Sequence, residues 1–253
     1  MKAVWKGYLG FGLVNIPISL YTAVGKDKFS FRMLHKKDNG PIKYKRVCEK
    51  CGSEVEWSDI VKGVEVGKDN YYVLTKKELE ELKPKGDDML KIEEFVNRDE
   101  IDIIYKNRSY FVGPTKGAER AYYLLKDTLE KSNKAAIGKF ILREKEYIGS
   151  IISYKKVLLL NLLHYDKNVR SIDNVPNIDS KIELNKKEKE LADELINKLT
   201  SKTLDMSKYE ETFTKNLMEA IKKKMEGEEV KIKEEKVEEP EDLIEALKAS
   251  VNK

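Results

Sequence analysis

The run Trp5-Lys6-Gly7-Tyr8-Leu9-Gly10-Phe11-Gly12-Leu13-Val14-Asn15-Ile16-Pro17-Ile18 constrains the fold more than any other stretch. Aromatic and β-branched residues favour extended chain. The glycines permit a bulge or a sharp corner, and Pro17, which donates no ladder hydrogen bond, points to an edge position. Two strands are therefore expected, broken near Gly10 and Gly12 and resuming over residues 14–21. A phosphate-cradling loop does not fit, because no helix signal follows the glycines and no Gly-Lys-Ser or Gly-Lys-Thr step occurs.

Further strand signals follow. Asn39-Gly40-Pro41 marks a turn from which residues 42–47 could pair back as a strand. Residues 90–96, 101–105, 110–112, 136–142, 148–154 and 157–163 also read as strands, with a hairpin turn at residues 106–109. The stretch 157–163 is almost wholly apolar, which predicts a central strand buried on both faces. Thr75-Lys76-Lys77-Glu78 is a capping-box pattern opening a short helix through Leu82, closed by Pro84 and Gly86. Residues 118–131 place Ala121, Leu124, Leu125 and Leu129 on one helical face. Many short strands with an occasional helix predict a mainly β chain built on a barrel, with α appendages, rather than a doubly wound sheet.

The character changes after residue 184. Asn185 with Glu188 opens a helix carrying Leu191, Leu195 and Leu199, and Ser207 with Glu210 opens a second with Tyr209, Phe213, Leu217, Ile221 and Met225 on one stripe. Such helices either pack on their own barrel or exchange contacts with another copy. Gly227 ends the second helix, and residues 228–239 lack the apolar content to fold alone. Pro240, Glu241 and Asp242 suit a first helical turn, with Leu243, Ile244, Leu247 and Val251 following at helical spacing. A short amphipathic helix on a charged tether reads as a docking peptide. The expected organisation is a core over residues 1–184, helices over 185–227, and a tether with a terminal helix over 228–253.

Charge is unevenly distributed. The chain of 253 residues has a formal net charge of +4, yet residues 228–253 hold nine acidic against five basic side chains. Residues 26–46 hold eight basic side chains against Asp27 and Asp38. Such a segment attracts polyanions. Only seven of the 49 basic residues are arginine, and lysine suits phosphate where bidentate base reading favours arginine. No helix-turn-helix, zinc-finger or ribonucleoprotein motif is present, so sequence-specific groove reading is not suggested.

Nothing in the sequence supports catalysis. The two histidines, His35 and His164, lie in no metalloprotease or phosphoryl-transfer pattern. Cys48-Glu49-Lys50-Cys51 alone has metal-ligand spacing. A structural zinc site needs four ligands. The pair is therefore either a reduced thiol turn or half of a site completed by His35 or by a second copy, and no other cofactor is expected. Two cysteines argue against a disulfide scaffold. No apolar run is long enough for a signal peptide or a membrane span, which predicts a cytoplasmic protein.

Taken with Lys37-Asp38-Asn39-Gly40-Pro41-Ile42-Lys43-Tyr44-Lys45-Arg46-Val47-Cys48, the amino-terminal run resembles the bacterial Ku proteins of non-homologous end joining. The resemblance continues through Glu94-Phe95-Val96, Glu100-Ile101-Asp102, Ser109-Tyr110-Phe111-Val112-Gly113-Pro114 and Ala121-Tyr122-Tyr123-Leu124-Leu125 to Pro240-Glu241-Asp242-Leu243-Ile244. It implies a Ku-type β-barrel with bridge and arm insertions and a ring-shaped homodimer that threads onto double-stranded DNA ends without reading sequence. The bridge would occupy about residues 64–116. Lys36, Lys37, Lys43, Lys45, Arg46, Arg108 and Lys116 are the expected DNA contacts, with Leu191, Leu195, Tyr209, Phe213, Leu217 and Ile221 at the dimer interface. Leu243, Ile244 and Leu247 would dock a multidomain ATP-dependent DNA ligase. Some relatives carry a long lysine-rich tail that this chain lacks, which argues against tail-assisted DNA binding. The competing reading is a general DNA- or RNA-binding barrel without end specificity.

Overall fold

The computed structural model describes residues 1–25, 29–82, 88–178, 182–227 and 243–252. Two compact units divide the chain, Met1–Asn174 and Val175–Lys253.

The first unit is built on seven strands that close on themselves. In chain order they are β1 (Trp5–Phe11), β2 (Val14–Thr22), β5 (Met89–Asn97), β6 (Lys106–Pro114), β7 (Lys134–Leu142), β8 (Lys145–Tyr154) and β9 (Val157–Leu163). Around the barrel the order is β1-β2-β6-β9-β8-β7-β5. Neighbours are antiparallel except at the seam, where β1 and β5 run parallel. Closure abolishes sheet edges. The core is therefore made by alternate residues of every stave: Ile16, Ile18 and Leu20 of β2, Tyr110 and Val112 of β6, Phe140 and Leu142 of β7, and Leu158, Leu160 and Leu162 of β9.

Two glycines of the amino-terminal run have distinct reasons. Gly12, at φ +56°, forms with Leu13 the two-residue turn between β1 and β2, a left-handed position that glycine occupies without strain. Gly7 lies at the seam, where an added Cβ would collide with the Asp88 carbonyl. That close approach lets the Tyr8 N–H donate to Asp88 O at 2.7 Å.

Pro17 is not at an edge, since β2 pairs with both β1 and β6. Its missing donor is tolerated at the rim. The β2–β6 register begins at Ile18↔Pro114, and beyond it the Thr115 N–H reaches the Pro17 carbonyl at 3.1 Å. In β9, Leu158, Leu160 and Leu162 are buried but Leu159 and Leu163 are half-buried. The outward face expected to be fully covered is only partly so.

Helix α2 (Glu119–Ser132) follows β6 and buries Tyr122, Leu125 and Leu129 into the barrel core. Asn133, left-handed at φ 48°, caps it and turns the chain into β7. The Tyr122 hydroxyl donates to Val112 O at 2.6 Å and accepts from Leu158 N at 2.7 Å. One side chain thus ties β6 to β9 through two buried backbone groups. On the same helix Glu130 accepts from Lys126 Nζ at 2.6 Å and from Ser153 Oγ of β8 at 3.0 Å.

Between Thr22 and Met89 the chain leaves the barrel. This excursion contains a two-stranded hairpin, β3 (Lys62–Gly67) with β4 (Asn70–Leu74), and helix α1 (Lys76–Leu82). The Thr75–Glu78 capping box is present in both directions, with Thr75 N donating to Glu78 Oε2 at 2.8 Å and Glu78 N to Thr75 Oγ1 at 3.2 Å. Pro84 and Gly86 lie outside the described residues.

Three further sequence expectations are corrected in this unit. Residues 42–47 form no strand, only single bridges, Leu34↔Pro41 and Val47↔Glu54. Residues 98–105 form two 3-10 turns, Arg98–Glu100 and Ile103–Tyr105, the second capped by Asp102 Oδ1 accepting from Ile104 N. Residues 106–109 belong to β6 rather than to a turn. Within residues 64–116, the region expected to contribute the bridge, β5 and β6 are staves of the barrel.

The second unit contains α3 (Lys186–Leu199), α4 (Thr212–Met225) and α5 (Leu243–Asn252). Asn185 and Glu188 form the expected capping box of α3. The second helix starts later than its sequence pattern suggested. Asp205 caps a short 3-10 turn, Met206–Lys208, and Glu211 then accepts from Thr214 N to start α4. Helix α5 packs on α3, and Lys198 Nζ donates to Val251 O at 2.6 Å. Among the described residues no helix is long and apolar enough to cross a membrane.

Tyr122→Phe keeps the ring but orphans the buried Val112 carbonyl and Leu158 N–H. It is expected to lower the unfolding free energy by about 2–4 kcal/mol in chemical denaturation. A loss below about 0.5 kcal/mol would show that the barrel does not depend on this bridge.

Candidate nucleic-acid interface

The cationic residues predicted from sequence fall into two groups. Five of them, Lys36, Lys37, Lys43, Lys45 and Arg46, lie on the excursion between β2 and β5, and all five are exposed. Here the chain forms two consecutive hairpin loops. In the first, Leu34 bridges Pro41, and Lys36 and Lys37 occupy the turn. In the second, Val47 bridges Glu54 around the turn of Glu49, Lys50 and Cys51.

Not all five cations are equally available. Lys45 Nζ lies 2.7 Å from Glu54 Oε2, and the Arg46 guanidinium sits 4.6 Å from the centre of the Trp57 ring. A polyanion must compete with a carboxylate at Lys45, whereas Arg46 can stack on Trp57 and still present its donors.

The remaining two lie at opposite ends of one stave. Arg108 is on β6, beside Tyr110, whose side chain hydrogen-bonds it. Lys116 follows the other end in the turn to α2. The six residues of strand from Arg108 to the end of β6 alone span roughly 20 Å, so the seven do not form one compact patch.

The same loops hold the cysteine pair and His35. Cys51 is a fully exposed thiol lowered to about 7, chiefly by a hydrogen bond with the Ser53 side chain, then by the Ser53 backbone and by Cys48. In the first loop His35 Nδ1 lies 2.9 Å from Asp38 Oδ1. The Gly40 N–H donates to the same oxygen at 2.9 Å and holds the Asp38 carboxyl below its usual range, with His35 contributing.

In the second unit the predicted interface residues separate. Leu191 and Leu195 are half-buried on α3, the helix against which α5 packs. Phe213 and Ile221 of α4 are exposed and Leu217 is half-buried, while Tyr209 precedes the helix and is exposed. On α5, Leu243 is 60% exposed whereas Ile244 and Leu247 are half-buried. The terminal helix is therefore not a free peptide: part of its apolar face lies against α3.

Sequence reasoning missed one surface. Tyr21 of β2, Phe111 of β6 and Tyr154 of β8 line an open concavity of about 740 Å³ with Lys155 and Lys156 at its rim. Phe111 and Tyr154 stack with ring centres 6.4 Å apart, and Lys155 Nζ lies 5.5 Å from the centre of the Tyr154 ring. Tyr154-Lys155-Lys156-Val157 could have been recognised as a two-residue hairpin turn. The convergence of β2, β6 and β8 could not.

Residues 10–206 match the Ku70/Ku80 beta-barrel domain, the fold whose seven closed staves carry α2 packed against them here. The chain belongs to the Ku family. It is 39% identical over 251 residues to the non-homologous end joining protein Ku of Archaeoglobus fulgidus, covering 99% of this chain and 98% of that one. The Ku protein of Bacillus subtilis is 38% identical over 257 residues, covering 100% and 82%. That of Mycobacterium tuberculosis is 31% identical over 261 residues, covering 99% and 95%. Family membership places the chain among the non-homologous end joining proteins.

Salt dependence separates the free cations from the engaged ones. Replacing Lys36, Lys37 and Lys43 together with alanine is expected to reduce the slope of log affinity against log salt, for linear duplex, by roughly one unit per lost contact. Lys45→Ala should change it less, because Glu54 already neutralises that charge. An unchanged slope in the triple variant would remove this loop from the interface.

Proposed function

We propose that the protein binds double-stranded DNA ends without regard to sequence, as a homodimeric ring that threads onto the duplex, protects the terminus and recruits a DNA ligase. The observation that carries the DNA reading is the excursion between β2 and β5. It carries a net positive, solvent-exposed segment outside a closed barrel, and among its described residues no element is suited to groove reading. Lysines spread over such a segment hold phosphates at many equivalent registers, which permits sliding. End selectivity then follows from topology, since a closed ring admits a duplex only where it terminates.

Dimerisation is the role best suited to α4. Phe213 is 64% exposed, Ile221 39% and Met225 84%, an apolar stripe at four-residue spacing that a second copy would cover. Ligase docking is assigned to α5 through Leu243, Ile244 and Leu247. Catalysis plays no part in this reading, and a cytoplasmic, nucleoid-associated location accords with it.

Competition between linear and covalently closed plasmid of the same sequence tests the ring. Near-exclusive capture of the linear form is expected, and Phe213→Asp with Leu217→Asp should yield monomers in light scattering that lose this preference. Equal retention of both plasmids would favour instead a nucleic-acid-binding barrel without end specificity.

Leu243→Ala changes a side chain that stands mostly free of α3, so it isolates docking from folding of the helix pair. It should abolish stimulation of the ligase while leaving end binding unchanged. Full stimulation by this variant would take Leu243 out of the docking surface.

A further inference from the structure

Outer positions on an antiparallel stave ordinarily carry polar side chains. Tyr21 of β2 and Phe111 of β6 break that rule. The two are register partners, and their neighbours Leu20 and Val112, also partners, are buried in the core, so alternation places both rings on the outside. Tyr154, the last residue of β8, is 37% exposed and stacks on Phe111 with an interplanar angle of 23°. Three aromatic rings from three staves thus gather around one hollow of the outer surface, the concavity of about 740 Å³.

Gly113 helps to keep that hollow open. A Cβ at this position would come within 3.2 Å of Tyr21 Cε2, so the Tyr21 ring lies against bare backbone. Gly113 is not among the residues of positive φ. Its missing side chain therefore serves the space above it and not a turn.

The rim is cationic. Lys155 and Lys156 form the two-residue turn between β8 and β9, flanked by the pair Tyr154↔Val157, and both are exposed. Glu130, which shares the adjoining cleft with Lys155, is already engaged by Lys126 and Ser153. The Lys155 ammonium rests only over the Tyr154 ring, at 5.5 Å, a weak contact at an exposed site.

Flat aromatic faces beside available ammonium groups match a nucleotide in both of its parts, because a base has a π face and its phosphate is an anion. An aliphatic peptide would fill the hollow and leave the lysines unused, and an acidic one would use the lysines alone. We propose that this concavity holds an unpaired nucleotide at the end of a DNA strand, its base stacked on the Phe111 and Tyr154 rings and its phosphate held by Lys155 and Lys156. The inference rests on the end-binding reading for its ligand, since a terminus whose strands stop at different lengths carries such nucleotides. Bases inside a duplex are already stacked on their neighbours and offer no free face. Stacking tolerates every base, so the site adds affinity for overhangs without sequence preference. On binding, the Lys155 ammonium leaves the Tyr154 ring for the phosphate.

The test is the affinity of the full chain, by fluorescence anisotropy, for a blunt duplex and for the same duplex extended by about four unpaired nucleotides. The extended duplex should bind about tenfold tighter, and Tyr154→Ala should erase that gain while leaving the blunt duplex unaffected. Lys155→Gly removes a cation at a backbone position that glycine suits, since Lys155 is left-handed at φ 50°. It should reduce the gain and make the salt dependence of binding the extended duplex shallower by about 0.7 unit of log affinity per log salt. Equal affinity of the unaltered protein for the two duplexes would overturn the inference and leave the end-binding reading standing, whereas no affinity for either would overturn both. A gain that persists in both variants would place the unpaired nucleotides elsewhere. Monomers of Tyr154→Ala in light scattering, from an unaltered protein that is dimeric, would give the concavity to a second copy instead. Lys155→Gly decides the matter even if Tyr154→Ala fails to fold.

Discussion

Closure of the barrel at the β1–β5 seam is the constraint on which the rest of the first unit depends. Six of the seven strand pairs are antiparallel, but the seam is parallel, spans only Tyr8–Gly10 against Met89–Lys91, and needs Gly7 to let the Asp88 carbonyl approach. A parallel pair between β1 and β5 cannot be joined by a tight turn. Sequence must be spent between β2 and β5, and the long excursion that meets this need is where the exposed cations are carried. The geometry that closes the barrel also creates the room for the candidate binding surface.

Opposite the seam, the barrel is fastened by α2. Tyr122 donates to β6 and accepts from β9 through a single oxygen, and Glu130 ties Lys126 of the helix to Ser153 of β8. A polar group buried in a low-dielectric core is costly when unpaired and rigidifying when every bond is made. These contacts hold the staves in one register, so that an excursion with no core of its own is anchored at both ends to a fixed frame. Charge is thereby concentrated outside that frame, on the segment proposed to meet a polyanion.

The two units divide the remaining work by the way they bury apolar surface. The barrel buries its own, inward along every stave. The helices after residue 185 do so only in part: α5 shares its face with α3, while the α4 stripe stays open. An exposed helix face of this kind is a statement about association.

Much of the local structure was legible in the chain. The glycine turn between β1 and β2, the Thr75–Glu78 and Asn185–Glu188 caps, and the strands beginning near residues 90, 136, 148 and 157 follow from short-range rules, because each depends on neighbours within a few positions. Several of the departures involve longer range. Residues 106–109 looked like a turn until pairing with β9 made them strand, and residues 42–47 had strand composition but no partner edge within reach. The β3–β4 hairpin escaped notice because both of its faces are exposed, so no alternation of apolar and polar residues marks it. Composition and local pattern alone determined that this chain is a mainly β protein with helical appendages and a cationic segment near its amino end. Which cations stand together, that Lys45 is already paired, that Arg108 and Lys116 lie at opposite ends of a stave and that α5 rests on α3 were decided only by the tertiary fold. Those facts depend on which distant strands and helices meet, and a closed barrel settles that through all its pairings at once.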